Sequence, residues 1–388
     1  MDRRLDAVLV EYGAPVRNEL MVDTAVSAFA DMITTVESFD FTRQAGKTTV
    51  EMASVGVAGL ILPWNSDVFF ICDKLATALA AGCTAVIKPS EMSATQTHVL
   101  TRALHEAELP NGVFNIVTGR GDVVGTAISR HPDVARISFT GSTVVGKIIM
   151  GEAAETLKRV TLELGKSPSI ILDDADLEKA VAGALQAGFV NSGQACVAGT
   201  RILVPEGRLD EVLAIAMAQM EDFPVGDPRD QATAIGPMVS ERQWERVQSY
   251  IRRGVEEDAR IVAGGPGRPE GFPDGYFVRP TLFADVTNDM TIAREEIFGP
   301  VLSILTYRDD DHAVEIANHT DYGLHAYVFS SDPARARRVA SRLEAGRVSI
   351  SGGYDPLSPF GGFKQSGIGR EYGTYGLEGF LEPRAVME

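Results

Sequence analysis

Between Val55 and Leu172, short apolar runs rich in β-branched residues alternate with longer stretches of helical periodicity. Residues 55–62 (VGVAGLIL), 84–88 (TAVIK), 113–117 (VFNIV), 135–140 (ARISFT), 159–164 (RVTLEL) and 169–172 (SIIL) read as strands. Helices are expected at 67–81, 93–108, around 122–130 and at 143–154, with Pro110-Asn111-Gly112 closing the second. Near-continuous apolar strands separated by helices imply a parallel sheet covered on both faces. That is a doubly wound α/β layout, whose ligands bind beyond the carboxyl ends of the strands. A second α/β series follows, with helices at 176–190, near 207–221 and at 242–253, and strands at 201–204, 301–305, 326–329 and 347–350. Two such units predict two domains with a cleft between them. The stretch Val36–Ser54 differs, being charged, alternating and interrupted at Gln44-Ala45-Gly46. It reads as a hairpin excursion, and with the tail Gly376–Glu388 it is a candidate contact between copies of the chain.

Composition narrows the function. The 388 residues are 45% hydrophobic, which supports two or three domains with substantial cores. With 36 Lys+Arg against 53 Asp+Glu the net charge is −17, and such a chain repels nucleic-acid phosphates. The longest apolar run stops at Pro63, short of the ~20 residues that span a bilayer, and MDRRLDAVLVEYG lacks a small-residue cleavage site. Neither a membrane nor a nucleic-acid partner is therefore expected. Three cysteines (Cys72, Cys83 and Cys196) cannot build a disulfide framework, so a reducing, cytoplasmic setting is expected. AGKTT at 45–49 has Phe41 where a phosphate loop needs glycine, and GRGDVVG at 119–125 misses the GxGxxG spacing. The histidines show no ligand spacing and are expected at the surface or as caps. No metal site is expected.

Four segments place polar residues at strand ends, where the ligand cleft should lie: PWN (63–65), KPSE (88–91), FTGST (139–143) and LELGKSP (162–168). NSGQACVAGTR (191–201), EEIFGPV (295–301) and PFGGFKQSGIGRE (359–371) follow. Taken singly, each has an ordinary structural explanation. Cys196 would be an inert buried thiol, Asn65 a turn residue and KPSE a helix start capped by Ser90. Glu163 would be a solvated strand end, and EEIFGPV an acidic turn. Together and in this order, from about Glu11 to the C-terminus, they resemble the NAD(P)-dependent aldehyde dehydrogenase superfamily.

The resemblance implies a Rossmann-type cofactor domain over 1–35 and 55–164 and a second α/β catalytic domain over 165–365. It also implies a small β oligomerisation element from 36–54 and 376–388. The family carries further chain ahead of this starting point, so the cofactor domain is expected to be N-terminally incomplete, with apolar surface or a strand edge exposed. The implied activity is oxidation of a small aldehyde to a carboxylic acid with NAD. Cys196 would be the nucleophile, and Asn65 with the Cys196 backbone N–H the oxyanion donors. Glu163 would activate water against the thioester, and Lys74 and Glu371 match positions linked to proton movement. Lys88 and Glu91 would hold the adenosine ribose, favouring NAD over NADP because a carboxylate repels a 2′-phosphate. Gly141 and Ser142 would take the pyrophosphate at a helix N-terminus. Trp64, Ser90, Gly121 and Leu164 belong to the same cofactor surface, while Glu296 would bind the nicotinamide ribose and Phe298 pack beside it. Phe69, Phe70 and Phe360 fall where the family lines its substrate tunnel, and Ser66 where an aromatic is usual. The implied assembly is a homo-oligomer, a dimer or tetramer.

One departure stands out. The family's Glu-Leu-Gly-Gly-Lys is here Glu163-Leu164-Gly165-Lys166. Each residue spans up to ~3.5 Å, so the loss predicts a shift of Glu163 by a few ångströms. An alternative reading is therefore a catalytically impaired or inactive remnant with a binding or assembly role. A third is thioester chemistry without redox.

Overall fold

In the computed structural model, which describes residues 3–18 and 20–387, five of the six apolar runs of the first series form one six-stranded sheet with Gly367–Ile368. The sixth, at 169–172, joins the second sheet instead, pairing with Arg201–Pro205 and His325–Phe329. In the first sheet Val57–Ile61 lies in the middle, with Thr84–Lys88 and then Phe114–Ile116 on one side. Val134–Thr140 and then Arg159–Glu163 lie on the other, all parallel. Gly367–Ile368 adds a short antiparallel strand beyond Arg159–Glu163. The strand order thus reverses between Val57–Ile61 and Val134–Thr140, and such a switch point opens a crevice at the carboxyl ends. Trp64-Asn65 and Gly141-Ser142 follow those two strands into it.

The second series forms a seven-stranded sheet, in spatial order Arg260–Ala263, Thr281–Ala284, Val301–Tyr307, Arg201–Pro205, Pro168–Ile171, His325–Phe329 and Arg347–Ile350. Only the first pair is antiparallel. Period-two alternation splits neighbouring residues between its two cores: Ile170 and Leu203 pack with Phe283, whereas Ile171 and Ile202 pack with Leu185. Burial on both faces is why these strands read as continuous apolar runs. The chain crosses from the first sheet to the second through Leu164–Ser167 alone.

The hairpin Thr42–Ala45 and Thr48–Ser54 pairs with the tail strand Leu381–Val386, Leu381 lying opposite Ser54 and Val386 opposite Thr49. The excursion and the tail therefore form one sheet, although 36–38 end the helix Leu20–Ser38 and 373–379 are helical. Among the described residues, no helix is long and apolar enough to cross a membrane.

Helix Thr143–Ala154 and strand Arg347–Ile350 have the expected limits. The helix around 122–130 forms, opening as one wide turn over Gly121–Gly125 and continuing as an α-helix over Thr126–Arg130. Two readings need correction. Ser90 is not a helix cap: the helix starts at Ala94 behind Ser93, and Ser90 Oγ accepts from Met92 N at 3.2 Å. The Glu11 carboxylate meets that helix start instead, accepting from Thr95 N and, at 3.0 Å, from Gln96 N. His325 is buried rather than at the surface, because it opens a strand with neighbours on both sides. Its Nε2 lies 3.0 Å from Ser349 Oγ, and burial pushes its pKa down to about 4.

Candidate active site

The helix Leu177–Phe189 ends in a turn through Asn191 (φ 51°) and Ser192 (φ 57°), left-handed backbone that few side chains adopt. Gly193 follows at φ 72°, where a Cβ would fall 2.2 Å from the Gly299 carbonyl oxygen. This tight turn presents Gln194-Ala195-Cys196 to the crevice. Asn65 arrives from the end of the central strand, and its Nδ2 donates to the Gln194 carbonyl at 3.1 Å. Asn191 Nδ2 ties both partners, donating to the Asn65 carbonyl at 3.3 Å and the Gln194 carbonyl at 3.2 Å. Asn65 spends one N–H on this loop and has a second to offer an oxygen beside Cys196. Trp64 stands edge-on to Phe298 at 5.7 Å and to Tyr12 at 5.8 Å.

Cys196 is half-buried, and its carbonyl accepts from Lys166 N and Ser167 Oγ, both at 3.3 Å. Burial first, then the Glu296 and Glu163 carboxylates, push its thiol up to about 12. A reactive thiolate here needs a base to take the proton. Glu163 is buried, and among the described residues neither of its carboxylate oxygens has a hydrogen-bond partner. Burial, followed by repulsion from Glu371, raises its pKa well above the usual carboxylate range. Gly361 forms its seat, since a Cβ there would lie 2.9 Å from Glu163 Oε1. Backbone bonds fix the strand end: Gly141 N donates to the Glu163 carbonyl at 3.1 Å, and Leu164 N to that of Ser366 at 2.9 Å.

The shortened loop is taken up at Lys166, a non-glycine residue held at φ 90°. Its buried Nζ donates to the Ala293 and Glu295 carbonyls at 2.6 and 2.7 Å, and burial pulls its pKa well down. Glu296 lies against Gly165, with its pKa raised by burial to about 7 despite Lys166 and Arg246.

Lys74 and Glu371 form a buried ion pair rather than a helix-surface pair. Ser138 completes it, accepting from Lys74 Nζ at 2.9 Å and donating to Glu371 Oε1 at 2.8 Å.

On the far side of the central strand, Lys88 Nζ donates to Glu91 Oε2 at 2.8 Å and to the Pro89 carbonyl at 2.9 Å. The second Glu91 oxygen accepts from Gly121 N at 3.4 Å, which brings Lys88, Glu91 and Gly121 together. The Glu91 side chain is half exposed, so this polar group is open to ribose hydroxyls. Ser142 caps the following helix, its Oγ accepting from Val145 N at 3.4 Å. Gly141 sits over the Phe139 ring and Leu164 packs on Gly146, where side chains would collide. Ser90 faces the turn beneath this surface instead.

Phe69 and Phe360 are joined through Tyr372, whose ring lies 6.1 Å from the first and 5.3 Å from the second. Phe70 touches Phe69 but is buried, with Lys74 Nζ 6.0 Å from its ring centre. Sequence reasoning missed Asn191, Gln194, Ser138, Lys166 and Tyr372. Asn191, Gln194 and Lys166 lie inside recognised motifs and Tyr372 adjoins one, which was the available signal. Nothing marks Ser138 except its place on a strand entering the crevice.

Residues 11–386 match the Aldehyde dehydrogenase family. The chain is 47% identical to 3-succinoylsemialdehyde-pyridine dehydrogenase of Pseudomonas sp, over 100% of this chain and 82% of that one. A mutant of aldehyde dehydrogenase C from Pseudomonas syringae, solved with NAD+ and octanal, superposes with a TM-score of 0.97 at 45% identity. The match covers 99% of this chain and 80% of the other. A Mycobacterium tuberculosis aldehyde dehydrogenase complexed with NAD+ gives a TM-score of 0.94 at 41% identity, over 98% and 80% of the two chains. The chain belongs to the aldehyde dehydrogenase family.

Proposed function

We infer that the chain is an NAD-dependent aldehyde dehydrogenase that forms a carboxylic acid through a thioester on Cys196. The observation carrying this reading is the convergence of Asn65, Cys196 and the unpartnered Glu163 carboxylate on one crevice. Lys88, Glu91 and Gly121 suit the adenosine ribose, Ser142 the pyrophosphate, and Glu296 with Phe298 and Trp64 the nicotinamide end. NAD, when bound, supplies the hydride acceptor. Its use is also supported by the relatives solved with NAD+.

Glu163 takes the thiol proton, and Cys196 sulfur adds to the aldehyde carbonyl carbon. The free N–H of Asn65 and the backbone N–H of Cys196 stabilise the resulting oxyanion. Once the thioester has formed, Glu163 removes a proton from water as its oxygen attacks the acyl carbon, and the Cys196 thiolate leaves. The high proton affinity of Glu163 suits both transfers. Lys74, Ser138 and Glu371 form a buried polar track that carries the proton away.

The six-stranded sheet serves as the cofactor domain and the seven-stranded sheet carries the nucleophile. The sheet formed by the hairpin and tail serves self-association into a dimer or tetramer. The Cys83 and Cys196 thiols, neither in a disulfide, support a cytoplasmic setting. The neighbour holding octanal makes aliphatic aldehydes the first substrates to try.

The test is NADH formation from an aldehyde panel, with Cys196→Ala as control. Steady turnover lost in C196A is the expected result. A single burst in the native protein would mean that acylation works and deacylation by Glu163 does not. No NADH from a folded protein that NAD stabilises would overturn the reading.

A further inference from the structure

Ser66, Phe69 and Asp73 stand at i, i+3 and i+7 where the helix Asp67–Ala80 begins, and so share one face. Phe69 on that face meets Tyr372, which stacks on Phe360. Asp73 comes one turn deeper. It is 7% exposed, and among the described residues its carboxylate has no hydrogen bond or ion pair. The Tyr372 hydroxyl lies within electrostatic reach of Asp73, Glu371, Cys196 and Glu163. The other charges facing Asp73 are Glu371, Lys74 and Asp31.

The nearby cations are already committed. Lys74 belongs to Glu371. Arg347 stands over Tyr354, Phe360 and Tyr372 at 6.0, 5.2 and 5.5 Å, and its guanidinium donates to the Ser358 carbonyl at 2.6 Å. Asp73 is thus a largely buried carboxyl group with no cation of its own among the described residues. That arrangement costs stability unless a partner arrives.

We propose that this face selects aldehydes bearing a protonated amine a few atoms from the carbonyl, with Asp73 pairing the ammonium and Phe69 and Tyr372 walling it. The inference rests on the dehydrogenase reading and names its substrate class. Burial and the Glu371 charge raise the proton affinity of Asp73, and an arriving cation opposes that rise.

The experiment compares kcat/KM for 3-aminopropanal, its heavy-atom match butanal, and the anionic 3-carboxypropanal. The amine is expected to exceed butanal by about tenfold or more, and the anion to fall below it. Both D73N and D73S should collapse the amine-to-butanal ratio to about twofold or less. A second arm needs no turnover: propylammonium should slow alkylation of Cys196 by iodoacetamide in the native protein, at concentrations where 1-propanol does not, and not in D73N. Equal efficiencies for amine and butanal overturn the inference and leave the dehydrogenase standing. If no aldehyde yields NADH, the dehydrogenase reading falls, and the alkylation arm alone decides the cation site.

Discussion

Glu296 and Gly165 are in direct contact: a Cβ built on Gly165 would stand 1.7 Å from Glu296 Oε1 and 2.5 Å from its carboxyl carbon. The loop that joins the two sheets therefore leaves room for the carboxylate only while residue 165 has no side chain. Gly165→Ala should displace Glu296 and weaken NAD by about tenfold or more, with a stability loss of about 1–3 kcal/mol from overpacking. Calorimetric titration with NAD checks the first effect and denaturant melts the second. Unchanged NAD affinity would remove Glu296 from the cofactor site.

Glu163→Gln should remove the base used both for the thiol and for water, slowing the first turnover as well as steady NADH formation by about a hundredfold or more. The native carboxyl holds its proton well above the usual carboxylate range, so the rising limb of kcat with pH should sit correspondingly alkaline. The sign for stability follows. The folded state binds more protons than the unfolded one in that window, so stability falls as pH rises from the unfolded carboxylate value to the folded one. The Gln variant should lose that share of the slope.

Asp67 gives a cleaner pH test because it stands outside the proposed chemistry. It is fully buried, accepts from Thr97 Oγ1 at 3.0 Å, and burial raises its pKa from 3.8 to about 7. Stability should decline between those values and stay lowered above them. Asp67→Asn should be more stable than the native chain at about pH 8, by at most about 4 kcal/mol, and show little gain near pH 4. Urea melts at the two pH values decide it.

Lys74→Met would leave Glu371 buried without its cation. Breaking such a pair costs about 3–5 kcal/mol, so the variant should unfold at markedly lower denaturant. A loss below about 1 kcal/mol would mean that solvent reaches the pair.

Most strands were legible because they are buried on both faces, as at residues 169–172 and 301–305, but Arg260–Ala263 and Thr281–Ala284 were missed and 169–172 was grouped with the first sheet. Helix Thr143–Ala154 was legible in full. Ser90 was misplaced because a serine before a helix can bond its own turn as readily as the helix. The catalytic motifs could be read as motifs, but their surroundings could not. Glu163 sits on Gly361 and pairs through its backbone strand with Gly367, contacts from far along the chain. Asp73 stands four residues after Phe69 in a helix whose other charged residues are Asp67 and Lys74, a pattern that gives no sign of a site by itself.

Lys74 and Glu371 are 297 positions apart, and the short strand that edges the first sheet comes only at Gly367–Ile368. A ribosome moving at roughly 5–20 residues per second needs on the order of tens of seconds between making one and the other. Through that interval the earliest sheet waits with a buried-to-be ammonium and an open flank. Its completion is a late event of synthesis, after every strand of the seven-stranded sheet has been made. A premature stop shortly after Gly362 would spare that later sheet and damage the oldest part of the molecule.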